Sequence, residues 1–125
     1  MKLADKIHDQ AMQLMDQANH LRRIGDAKGA KDRMYQAFVK ERRVAQMLAA
    51  KLDFEPSRSV LHRSAATLAF RCGQFREAER LITTALSGNP PEAIAEELRD
   101  LLQQVYFAKP VRQQRREITR IAESV

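Results

Sequence analysis

Apolar residues return at helical intervals along nearly the whole chain. Leu3, Ile7, Ala11, Leu14, Met15, Ala18, Leu21 and Ile24 form one stripe and predict a helix over 3–24. Gly25 and Asp26 turn the chain. Ala30, Met34, Ala37, Phe38, Val44, Ala45, Leu48 and Leu52 then keep helical phase, and predict a second helix over 27–52 that stops at Phe54-Glu55-Pro56. Pro56, Ser57 and Ser59 open a third helix, with Val60, Leu61, Ala65, Leu68, Ala69 and Cys72 as its apolar positions. Gly73 ends it, because glycine accepts the left-handed backbone of a helix stop at no steric cost. Phe75, Ala78, Leu81, Ile82, Ala85 and Leu86 make the face of a fourth helix, which ends at Gly88. Asn89 is placed to cap a fifth, with Pro90 and Pro91 in its first turn and Glu92 as reciprocal capping partner. Ile94, Leu98, Leu101 and Val105 repeat in the heptad manner there, widened by Leu102 and Tyr106.

The same frame occurs twice. Gly25, Asp26, Ala30 and Ala37 match Gly73, Gln74, Ala78 and Ala85, and Ala18 matches Ala66, all 48 positions apart. The run from Gly73 to Pro90 resembles the second helix of a tetratricopeptide repeat with the turn that opens it. The likeness is good over 59–90 and weak over 11–41, where Ala27 replaces the aromatic Phe75 and the spacing exceeds the family's period of about 34 residues. The resemblance implies an all-α fold: two antiparallel hairpins of tetratricopeptide type plus a capping helix, in one domain over 1–108. A basic tail over 109–125 follows, with Val111, Ile118, Ile121 and Val125 in helical phase among four arginines; it is expected to be helical only when docked. The segment 55–102 also resembles small uncharacterised bacterial proteins with the same proline pair and acidic helix, a resemblance that implies no activity.

Charge and composition then narrow the functions. The 125 residues carry net charge +6, of which residues 1–52 hold +5. A basic surface attracts acidic proteins, nucleic acid or anionic lipid alike. No apolar run reaches membrane-spanning length, and 1–10 lacks a signal core. A lone cysteine, Cys72, fits a reducing cytoplasm and reads as a small buried filler. The three histidines have no metal-binding spacing and read as solvated. There is no phosphate-cradling glycine loop, nucleophile elbow, zinc spacing or calcium loop, so no enzyme, metal or cofactor is expected.

What remains is a surface. In tetratricopeptide proteins the first helix of each hairpin lines the ligand groove. The resemblance therefore places Met12, Met15, Asn19, Arg22 and Arg23 in a partner-binding groove with Val60, Arg63, Thr67, Phe70 and Arg71. Arginine forks suit carboxylates, and methionine adapts to apolar side chains. The family's full carboxylate clamp is absent, since a lysine expected near Met15 is missing. Two functions stay open. One is a non-catalytic adaptor that binds an acidic peptide or self-associates as a homodimer. The other is a nucleic-acid or ribosome binder using Lys28, Lys31, Arg42, Arg43 and the arginine tail.

Overall fold

The computed structural model describes residues 2–108 and 111–124, for 111–117 the backbone alone. Among the described residues it is all-α, with six helices and no strand. These are α1 (Lys2–Arg23), α2 (Ala27–Leu48), α3 (Ser57–Arg71), α4 (Phe75–Leu86), α5 (Glu92–Ala108) and α6 (Val111–Ser124), with a short 3-10 turn at Leu52–Phe54 between α2 and α3. Helices α1 to α5 each pack on the next in order, and α3 also reaches α5. The expected break at Lys109-Pro110, and the side chains of Val111, Arg112, Arg115, Arg116 and Val125, lie outside the described residues.

Two turns repeat each other in their backbone hydrogen bonding. Gly25 and Gly73 both adopt positive φ, 90° and 76°. The following amide reaches back five residues, Asp26 N–H to Leu21 O at 2.8 Å and Gln74 N–H to Ala69 O at 2.8 Å. This is the double-bonded helix stop that a left-handed glycine permits. The next helix then begins alike, with Ala30 N–H on Asp26 O and Ala78 N–H on Gln74 O. The 48-residue repeat is thus a repeat of turn geometry. Ala18, Ala30, Ala66 and Ala78 are all buried, so the helices approach closely where their side chains are smallest. Around them Phe38, Leu81, Ile82, Leu98 and Val105 close a continuous core shared by α2, α3, α4 and α5. A second cluster, Ala4, Ile7 and Val44 with Met47 and Leu61, joins α1 to α2 and α3.

Two element boundaries and one burial pattern differ from those the sequence predicts. Helix α2 ends at Leu48 instead of running to Leu52. The carbonyl of Ala49 is taken by the Arg58 side chain, and Glu55, which precedes a proline, is extended. Helix α5 opens at Glu92, with the Pro91 carbonyl accepting from Ile94 and Ala95, so the cap is not Asn89. Asn89 and Pro90 each precede a proline and are disfavoured in helical geometry; Glu92 instead pairs with Arg99. In α3 the burial pattern is partly inverted. Arg58, Ser59 and His62 are buried, whereas the apolar Val60 and Leu61 are only half-buried. Leu3 and Ile24, at the two ends of the α1 stripe, are 53% and 65% exposed.

Arg58 explains much of that inversion. Its Nε donates to Ala49 O at 2.7 Å, its Nη2 to Thr84 O at 2.9 Å and its Nη1 to Ala85 O at 3.4 Å. Those carbonyls end α2 and α4, where the helix dipoles favour a cation. Glu55 balances the charge at 3.7 Å. A Cβ on Gly88 would overlap the guanidinium, so the absent side chain there makes room for Arg58. His62 sits one turn on and donates its Nδ1 hydrogen to Arg58 O at 2.7 Å.

Candidate functional site

A cleft of about 490 Å3 opens between the N-terminal half of α1 and the N-terminal half of α3. Ala4, Leu48, Phe54, Pro56, Val60 and Leu61 give it apolar walls, and Asp5, His8, Ser57, Arg63 and Ser64 supply its polar groups. Helices α1 and α3 run parallel because each is antiparallel to α2 between them. That arrangement brings Ala4 to His8 alongside Val60 to Ser64. Val60 and Leu61 remain accessible because the opposite side of α3 is occupied by Arg58 and His62.

Behind two of the lining residues, His8 and Ser64, lies a buried carboxylate. Glu41 of α2 is 0% exposed and is met by side chains from two neighbouring helices at one point. Ser64 Oγ of α3 donates to its Oε2 at 2.6 Å. His8 Nδ1 of α1 lies 2.9 Å from Oε1 and 3.0 Å from Oε2. A buried charge needs a partner and hydrogen bonds, and here hydroxyl and imidazole supply them. With His8 Nδ1 engaged, its Nε2 is turned away from Glu41 and left to the cleft. Ser64 gives its hydrogen to the carboxylate, so serine and imidazole are both held by Glu41 and fix the spacing of α1 and α3 across α2.

Compared with family models, with curated proteins and with solved structures, the chain matches none.

Of the residues expected to line a groove, Arg63 is in the cleft, where its guanidinium pairs with Glu97 of α5. Asn19, Arg22 and Arg23 lie together with Asp16 in a separate shallow depression on α1, and Arg22 donates to Asn19 Oδ1 at 2.7 Å. His8 and Arg22 are 14 residues apart on one helix, about 21 Å, so the two places are distinct. Met15 is half-buried against the core, and Phe70 is half-buried on Phe75 with ring centroids 6.0 Å apart. Thr67 is exposed and returns its hydroxyl to Arg63 O, while Arg71 is exposed at the last turn of α3.

Glu41, His8 and Ser64 were not legible as a group from motif spacing, because each comes from a different helix. One signal does exist. Glu41 falls at the phase of Met34, Ala37, Phe38, Val44, Ala45 and Leu48, a carboxylate on an apolar stripe. Arg58 and His62 likewise share the phase of Ala65 and Ala69. The histidines are therefore not all solvated: burial, ahead of the nearby Arg58 charge, pushes the His62 imidazole below its ordinary value despite its bond to Arg58 O. Burial raises the half-buried Cys72 thiol, which keeps it protonated and unreactive near neutrality. Among the described residues there is no cluster of three or more metal-ligating side chains, and no helix is long and apolar enough to cross a membrane.

Proposed function

We propose that this chain is a non-catalytic helical adaptor of tetratricopeptide-like design, which receives a short acidic segment of a partner protein in the cleft between α1 and α3. The observation that carries the proposal is the cleft itself. It combines apolar walls with a few polar groups, at a volume typical of ligand sites. The two superposable glycine turns and the four buried alanines support the repeat-like part of the reading. Its groove is lined by the first helix of each hairpin, as the family likeness leads one to expect. Leu48, Phe54 and Val60 would take an aliphatic side chain of the segment, and Arg63 an adjacent carboxylate. The basic-surface alternative draws on Lys28, Lys31, Arg42 and Arg43, of which Arg42 is stacked over Phe38 at 4.9 Å and lies 4.0 Å from Glu77. Arg63 is paired with Glu97, so an incoming carboxylate would have to displace that exposed partner. A cytoplasmic location belongs to the same proposal.

A random-sequence peptide library displayed against the whole chain tests it, followed by calorimetric titration of the recovered peptides. Acidic peptides with an aliphatic residue should emerge. Their affinity should fall at least tenfold on Val60→Arg and several-fold on Arg63→Gln, with no change on Thr83→Arg at the outer face of α4. Peptides that bind Val60→Arg as well as they bind the native chain would remove the cleft from consideration.

A further inference from the structure

We infer that the outer face of α2 is a binding surface for a single-stranded nucleic acid, separate from the cleft. Lys31, Tyr35, Val39 and Arg43 follow one another at intervals of four along α2, and so form a single ridge on its surface. Lys28 extends the ridge one turn toward the start of the helix. All five side chains are exposed, Tyr35 at 47% and Val39 at 38%. The opposite side of α2 carries Ala37, Ala45 and Leu48 into the core and Glu41 behind the cleft. Lys28, Lys31 and Arg43 make no ion pair among the described residues. The acidic groups nearest the ridge are already engaged. Asp32 accepts from Gln36 Nε2 at 2.9 Å and lies 3.5 Å from Arg33, and Asp26 accepts from Gly29 N–H. Glu77, across on α4, is shared between Arg42 and Arg80.

The ridge thus offers three unpaired cations with an aromatic ring between them. Lys31 and Arg43 stand about 18 Å apart along the helix axis. Tyr35 is braced by the buried Phe38, ring centroids 6.0 Å apart, which holds its ring at the surface. A single strand supplies what fits: a run of phosphates for the cations and an unstacked base for the ring. A duplex keeps its bases stacked and leaves Tyr35 without a partner. An acidic peptide would use the cations and leave the ring no role. A lipid surface calls for a broad apolar face, whereas only two apolar side chains stand among these charges. Residues 1–52 hold +5 of the net charge, which draws a polyanion to this part of the molecule.

The test is titration of the full chain into a short fluorescent oligouridylate, read by anisotropy at a series of salt concentrations. Binding should weaken with salt at a log–log slope of about −2, the value for three cations on a single strand. Lys31→Ala and Arg43→Ala should each reduce that slope by about 0.7. Tyr35→Ala should lower affinity about tenfold and leave the slope unchanged, whereas Tyr35→Phe should bind as the native chain does. Arg99→Ala, which removes a cation from α5, should change neither quantity. Because the targeted side chains are exposed, far-UV circular dichroism should be unchanged in every variant. An oligouridylate that fails to bind at low salt overturns the inference. So does a Tyr35→Ala chain that binds as tightly as the native one. Poly-glutamate, anionic vesicles or duplex DNA competing on equal terms would overturn it too. The oligonucleotide result does not depend on whether the cleft takes a peptide.

Discussion

Single residues decide the stability of this fold where polar groups stand in core positions. Arg58 is the clearest case, since one guanidinium ties the ends of α2 and α4 to the start of α3. Arg58→Ala should lower the unfolding free energy by about 3 kcal/mol, because buried carbonyls lose their donor and a void opens. Arg58→Lys should recover only part of this, as a point charge cannot fork to two helix ends. Gly88→Ala should cost about 1–3 kcal/mol by crowding the same guanidinium. Urea midpoints of the three variants check the order. His62 makes a prediction in pH. Its folded value lies below the ordinary 6.5, so as pH falls the unfolded chain takes up the proton first. Stability from this group is therefore full above about pH 6.5 and declines below it, by at most about 1.4 kcal/mol per pH unit. Carboxylates titrate in acid too, so the readout is the difference between native and His62→Gln chains, compared by urea unfolding at pH 7.5 and 5.5. A difference that stays constant across that range would contradict the buried-neutral imidazole.

At the scale of elements, the two glycine turns share a backbone but not a cap. Asp26 accepts from Gly29 N–H at 2.9 Å, whereas Gln74, at nearly the same φ and ψ, makes no side-chain cap. Gly25→Ala and Gly73→Ala should each cost about 1 kcal/mol or slightly more, since both force a Cβ into the left-handed region. Gln74→Ser should add about 0.5–1 kcal/mol by giving α4 the cap α2 already has. Chemical denaturation of the three single variants settles this. The turns were plain in the sequence because a glycine and the small residues around it act locally. The helix ends at Leu48 and Glu92 were not, because the first depends on a side chain from another helix and the second on two consecutive prolines. The candidate site was legible only at Arg63. The carboxylate beneath it needed α1, α2 and α3 packed together before His8 and Ser64 could be seen to converge on Glu41.

The whole molecule divides by how its helices are held. From α1 to α5 every helix contributes buried side chains, and polar bridges at Glu41 and Arg58 link helices that apolar contacts already join. Helix α6 differs, since its described side chains, residues 118–124, are all exposed, isoleucines included. Its arginine 120 does line a shallow depression with Arg76, Glu79, Arg80, Thr83 and Tyr106, and the Tyr106 hydroxyl is hydrogen-bonded to Glu79, which with burial raises its pKa. Those contacts are polar and open to water, where each is worth well under about 1 kcal/mol. A chain ending at residue 108 should therefore keep its helices 1–5 and unfold, in dilute solution, within about 0.5 kcal/mol of the full chain. A shortened chain that is already markedly weaker when dilute would show that α6 is part of the cooperative core.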